Sequence, residues 1–227
     1  MQVVALKAGL VPLESTSLAE QVADRIVDAI VTHQLSGGDR LIETELAAGL
    51  QVSRIPVREA MRILESQGIV VAAPRRGTRV VTFDAAWALQ LHDVRVAIEQ
   101  LCAKITARSL RRNPAARARL DVCMQDLSAA AATESWTVIN RADVAFHTAL
   151  FEIADAPLLT TLWTAIARHV LIMFSIETYR DPNFKRIIAE HRSYLDVLLE
   201  GQPAAIDKEI RLHVAGFKTF VRSVGCG

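Results

Sequence analysis

Asp143, His147, His191 and His213 are the residues of this chain whose types best suit ion binding. Asp143 and His147 lie four apart in the run Ile139, Asp143, Phe146, His147, Leu150, so both project from one helical face. His191 falls in the stripe Ile187, Ile188, Tyr194, Leu195, Leu198, and His213 in the stripe Ile206, Ile210, Phe217, Phe220. Stripes of this spacing face an interior. Burying such groups unpaired costs roughly 2–7 kcal/mol per neutral polar group. A divalent metal ion would satisfy all four at once. Imidazole plus carboxylate suits zinc first, with nickel, manganese or iron as alternatives. One histidine in a stripe is more often a hydrogen-bonded core residue, as expected for His169 beside Ile166 and Met173, and open for His92. It is the coincidence of three stripes that points to an ion. Arg95, one turn before Glu99, could grip a carboxylate ligand by a two-pronged contact, or could simply pair with Glu99.

A second chemistry is carried by arginines. Arg54, Arg58 and Arg62 recur every fourth residue, opposite the apolar set Val57, Ala60, Met61 and Leu64. Such a face is usually plain solvated surface. Here, however, six arginines between Arg54 and Arg79 meet only Glu59 and Glu65, although the whole chain carries a formal charge of only +1. Arg75 and Arg76 form a second cluster in Pro74-Arg75-Arg76-Gly77. Locally concentrated guanidinium groups on a near-neutral protein suit local contact with nucleic acid, not general polyanion binding.

These side chains need elements to place them. Leu46, Ala47 and Leu50 give a short helix an apolar side, and Gly49 is the expected stop. Val52 fits the angle that follows, Ser53 is an N-cap, and Pro56 falls in the first turn of the arginine helix. Helix, tight turn and capped helix is the helix-turn-helix pattern, whose second helix enters the DNA major groove. Before it, Ser17 and Glu20 form a capping box for a helix buried through Val22, Ile26, Ala29 and Ile30. After it, Ile69 to Ala73 and Thr78 to Phe83 read as a hairpin with a basic tip, and Arg40-Leu41-Ile42 as a very short strand. The whole is a winged helix-turn-helix over residues 17–83, preceded by an arm over 1–16.

Residues 84–227 read as six helices: from the Asp84 cap to about Leu110, Pro114 to Ala132, Glu134 to Ala154, Pro157 to Tyr179, a fifth opened by Asp181-Pro182 and stopped at Gly201, and Pro203 to about Val224. With short connectors they form an antiparallel bundle. The expected fold is therefore mainly α. Composition agrees, with 51% hydrophobic residues, 10 glycines and 7 prolines. Cys102, Cys123 and Cys226 are odd in number and scattered, without CxxC, which implies a reduced, cytoplasmic protein without a disulfide framework. There is no basic-then-apolar leader pattern. The longest apolar stretch, near Leu162 to Ile176, is broken by Arg168 and His169 and reads as too short to span a bilayer.

The run LIETELAAGLQVSRIPVREAMRILESQGIV, followed by PRRGTRV, resembles the DNA-binding domain of the GntR family of bacterial transcription regulators. The six helices with Asp143, His147, His191 and His213 resemble the FCD effector domain of its FadR-like subfamily. The resemblance covers about Ser17 to Val221. It implies a homodimeric regulator of a short palindromic operator in double-stranded DNA. It further implies that Arg54 and Arg58 contact bases and phosphates, that Ser53 and Thr44 contact the backbone, and that Gly77 lies in the wing tip. The four ligands would hold the metal, a small organic acid would complete its coordination, and Arg95 would lie near that effector. Two positions depart from the family pattern: Gly38-Asp39 replaces a usual Pro-Gly, and Ala156 replaces a usual asparagine.

Two other functions compete. A metal-dependent enzyme would use the same histidines and carboxylate, but no separate general base is evident, since Glu190 points about 100° away from its neighbour His191. A metal-free regulator would fill the bundle with a larger apolar effector, which the four polar residues disfavour.

Overall fold

The computed structural model describes residues 17–73, 77–180 and 182–214. Ser17 opens the first helix, α1 (Leu18–Val31), its hydroxyl accepting the Glu20 N–H at 3.2 Å. The Glu20 carboxylate is engaged by Arg168 of a distant helix. The buried stripe of α1 is wider than expected: Ala23, Val27 and Val31 join Val22, Ile26 and Ile30, while Ala29 is half-buried.

Strand β1 (Arg40–Leu41) leads to α2 (Glu43–Leu50) and α3 (Arg54–Ser66). Gly49 does not stop α2. The helix runs on to Leu50, and Gln51 takes the left-handed position at φ 53°. Ser53 has the extended backbone of an N-cap, but its side chain makes no capping hydrogen bond. Pro56, Val57, Ala60, Met61 and Leu64 form the buried face of α3, as their spacing predicts. Strands β2 (Val70–Ala73) and β3 (Gly77–Val80) form the hairpin, antiparallel with Ala73 opposite Gly77. β1 pairs with β3, giving the order β1-β3-β2.

The second half holds α4 (Ala85–Arg112), α5 (Pro114–Ala132), α6 (Trp136–Ala154), α7 (Pro157–Arg180), α8 (Phe184–Glu200) and α9 (Pro203–His213). Asp84 caps α4 by accepting the Trp87 N–H, and Asn113 caps α5 ahead of Pro114. Two starts differ from the sequence expectation. Glu134 adopts φ 53°, so α6 begins only at Trp136. Asn183 caps α8, accepting the Arg186 N–H at 3.0 Å, in place of the expected Asp181-Pro182 start. The expected stretch of the last helix to Val224, with Phe217 and Phe220, lies outside the described residues, as does Cys226. α4 packs against each of the other five bundle helices, which makes it the helix through which the interior is organised.

The two halves share an interior. Leu171 and Ile172 of α7 belong to the apolar cluster formed by α1, α3 and the sheet. Polar contacts reinforce the joint. Arg168 bonds Glu20, Asp24 and the Gln67 side chain, and Arg141 of α6 pairs with Asp28. The Trp87 indole N–H donates to His169 Nδ1 at 3.2 Å, so the opposite nitrogen, Nε2, carries the proton given to the Gln67 carbonyl at 2.6 Å. His169 is thus the hydrogen-bonded core histidine that its lone stripe position predicts. Contrary to the length expectation, the segment Pro157–Ile176 of α7 has the 20 residues and mean hydropathy, 1.4, of a membrane span. Its two polar interruptions, Arg168 and His169, are the residues bonded to the N-terminal half, and Trp163, Val170 and Met173 lie in the bundle core.

Candidate metal centre and nucleic-acid interface

Asp143 and His147 project from one face of α6, His191 comes from α8 and His213 from the end of α9. The bundle brings the four together. One nitrogen from each histidine lies within 4.8 Å of the others. His147 Nε2 is 3.1 Å from His213 Nε2, Asp143 Oδ1 is 3.3 Å from His191 Nε2, and 3.5 Å separates Asp143 Oδ1 from His147 Nε2. Asp143, His147 and His191 are buried and His213 is half-buried.

The protonation pattern shows what this arrangement needs. His191 Nδ1 is 2.8 Å from the Ile187 carbonyl and must donate to it. The neutral ring therefore turns the lone pair of Nε2 toward the Asp143 carboxylate. Asp143 Oδ1 and His191 Nε2, like Glu99 Oε2 and His147 Nδ1 behind them, are in close contact without hydrogen-bond geometry. Two electron-rich atoms facing each other in a dry interior require a proton or a cation between them. A divalent ion bonded at about 2.0–2.2 Å sets neighbouring donors roughly 3.0–3.5 Å apart, as in the three pairs just given, within a histidine set that spans up to 4.8 Å. The residues fit such an ion.

The electrostatics agree. Burial by itself would depress His191, but Asp143 outweighs it and holds the imidazole above its ordinary value. Burial likewise opposes ionisation of Asp143, and His191 and His147 overcome it, so the carboxyl stays below its usual range. His213 is pushed well down, by burial first and then by His191, His147 and Arg95. With neutral imidazoles, Arg95, Glu99 and Asp143 leave one net negative charge in the cluster, which favours a cation.

Glu99 is the residue that sequence reasoning undervalued. It is buried, accepts the Arg95 Nε–H at 2.7 Å, and sets Oε2 3.1 Å from His147 Nδ1. Burial pushes its carboxyl up, yet Arg95 and His147 bring it down to about 2. A carboxylate behind a ligand histidine orients the ring and raises its basicity. Its signal in the sequence was a charged residue beside Ile98 and Cys102, inside the apolar stripe of α4. Arg95 is buried as well, with its guanidinium 5.0 Å from the Phe174 ring centroid. It makes the simple pair with Glu99, so any grip on an effector uses its remaining donors. Tyr194, buried against His147 and His213, was read only as a stripe residue.

The arginine face stands at the other end. Arg54, Arg58 and Arg62 are exposed on α3, with Thr44 and Ser53 exposed nearby. Arg54 and Arg58 both donate to Glu43 at the start of α2. With Arg40, Thr44, Gly77 and Thr78, these three residues line a cleft of about 370 Å³. Gly77 has φ 75°, which any other residue adopts only with strain, and a Cβ there would meet Arg40 Nε at 3.0 Å unless that flexible side chain shifted. Arg40 was not anticipated as part of this surface. Arg75 and Arg76 lie outside the described residues.

Comparison with known proteins bears on both sites. Residues 18–80 match the model of the bacterial regulatory proteins of the gntR family, and residues 90–216, more than half of the chain, match the FCD domain. A probable D-xylose utilization operon transcriptional repressor of Paenarthrobacter nicotinovorans is 26% identical over 90% of this chain and 89% of its own length. The gluconate operon transcriptional repressor of Bacillus subtilis is 25% identical over 82% of this chain and 77% of its own. Among solved structures, a GntR regulator from Rhodococcus sp. RHA1 aligns with a TM-score of 0.71 at 24% identity, covering 92% of this chain and 99% of that one. E. coli McbR/YncC aligns at 0.75 and 19% identity, with the same coverage. At such identities these two likenesses establish the fold. The winged helix-turn-helix in front and the FCD helices behind it make this chain a transcriptional regulator of the GntR family.

Proposed function

We propose that this regulator is a metal-loaded, effector-responsive homodimer. Asp143, His147, His191 and His213 hold a divalent ion, zinc first among the candidates. When bound, the ion supplies a Lewis-acidic position that takes a carboxylate oxygen. Arg95, within the same buried cluster, offers the positive charge suited to a small organic acid. The observation that carries this reading is the buried pair Asp143 Oδ1 and His191 Nε2, 3.3 Å apart, which needs either a proton or a cation between its two atoms. Elemental analysis of the purified protein tests it. We expect about one ion per chain, lost in His191→Ala; no stoichiometric ion in the wild type ends the metal claim.

At the other end, Arg54, Arg58 and Arg62 read the major groove of a short palindromic operator. Thr44 and Ser53 touch the backbone, and the wing at Arg75, Arg76 and Gly77 reaches the minor groove or a phosphate. The idle Ser53 hydroxyl supports a role outside its own helix. Arg58→Ala should weaken operator binding by about tenfold or more and relax the sequence preference. Unchanged affinity and specificity would remove Arg58 from the reading surface. For the dimer, α4 presents Val94, Ala97 and Leu101 to the outside at spacings of three and four, a stripe suited to a second copy of the helix.

The functional units are the arm 1–16, the reading head 17–83 and the effector and dimerisation unit 84–227, working in the cytoplasm. Coupling between them follows the joint. α6 carries two ligands, and two residues before Asp143 it carries Arg141, which holds Asp28 of α1. An effector that prefers one setting of these helices shifts the head to match.

A further inference from the structure

We propose that Glu43 determines the sequence specificity of the reading head, as a positioning residue that aims Arg54 and Arg58 and repels DNA that cannot engage both. The inference rests on the assignment of those arginines to base reading.

Glu43 lies in the first turn of α2, and the arginines lie in the first turns of α3, so the helix-turn-helix angle brings all three together. Glu43 Oε2 accepts from Arg54 Nη2 at 3.2 Å and from Arg58 Nη2 at 3.1 Å, while Oε1 accepts from Arg58 Nε at 3.3 Å. Both carboxylate oxygens are used. Only one edge of the Arg58 fork and one amino group of Arg54 are consumed, out of five N–H donors on each guanidinium. The remaining donors stay available, with the two side chains 58% and 50% exposed.

Two consequences follow from the chemistry. Like charges one turn apart repel and splay, and Glu43 holds these two cations together. Long side chains fixed before docking surrender less rotamer freedom on binding. The carboxylate also brings a negative charge to a surface that meets phosphates. Bonds from Arg58 first and Arg54 second hold its carboxyl below the usual range, so the charge persists. Every DNA sequence meets that repulsion, and a sequence offering acceptors to both arginine forks compensates it. Glu43 therefore lowers general affinity while widening the gap between right and wrong sites.

The test uses the full chain and two duplexes: one enriched by the wild type from a randomised library, and a shuffled duplex of equal length and composition. Glu43→Gln should bind the shuffled duplex at least as tightly as the wild type does, and its ratio of specific to non-specific affinity should fall about tenfold. Glu43→Asp, charged but shorter, should fall between. Glu45→Gln removes an exposed carboxylate from the same first turn and should leave the ratio within about twofold. An unchanged ratio in Glu43→Gln, or an equal fall in Glu45→Gln, overturns the proposal. Arg58→Ala separates the two levels. If it lowers the ratio while Glu43→Gln does not, only the Glu43 inference fails; if it leaves the ratio intact, the base-reading assignment fails as well.

Discussion

The chain places an arginine–glutamate contact at each end, and the two have opposite surroundings. Arg95 and Glu99 are one turn apart on α4 and almost wholly buried. Arg54 and Arg58 reach Glu43 across a helix turn and remain half exposed. In the interior neither partner can be released, because the survivor would be an unpaired charge in a dry environment. At the surface, water or phosphate replaces the partner at little cost. The same functional groups thus form a fixed support beside the buried His147 and an exchangeable contact on the exposed face of α3. Burial decides which role a guanidinium plays.

The largest test of this contrast removes the buried carboxylate. Glu99→Ala should destabilise the protein by about 3–5 kcal/mol in urea unfolding, since Arg95 is stranded; Glu43→Gln should leave the unfolding midpoint nearly unchanged. Equal effects would erase the distinction. Next in size is Glu99→Gln, which keeps the volume and weakens the hold on His147. Metal affinity should drop about 10–100-fold, as for other groups behind a ligand histidine. Undiminished affinity would show that Glu99 serves Arg95 alone.

A smaller effect concerns acidity. In the metal-free protein the His191 pKa is raised, so its contribution to stability is present at low pH and fades as pH rises through that value. An ion at the same site competes with this proton, so metal affinity should fall as pH drops through the same range. Metal titrations monitored at several pH values check this, and a flat profile would contradict the competition. The smallest expected change is Gly77→Ala. The left-handed backbone and the close Arg40 guanidinium should make it destabilising by about 1 kcal/mol, read as a lowered thermal midpoint.

Much of the architecture was legible because periodicity is a local property. The buried face of α3, the hairpin and the bundle helices follow from apolar spacing and from caps such as Asp84 and Asn113. Ends were less legible: Gln51 rather than Gly49 took the left-handed position after α2, Glu134 took φ 53° where a helix start was expected, and Asn183 rather than Asp181-Pro182 capped α8. Tertiary packing outweighed a preference of about 1 kcal/mol there. At the candidate site, three histidine stripes pointed to one meeting place, and the side chains of His147, His191 and His213 do lie together there. The role of Glu99 was hidden because its partner His147 is 48 positions away in the chain, and only the fold joins them. Arg40 was hidden likewise, since strand pairing carries it to the wing.

Leu171 and Ile172 sit in the apolar cluster of the first half although they belong to α7, some ninety residues after Phe83. A fragment ending at Phe83 would therefore be missing a wall of its own interior and would expose oily surface where that helix should rest. Footprinting or crystallography with such a truncated piece would examine a damaged object, and DNA affinities measured on it would understate the intact regulator.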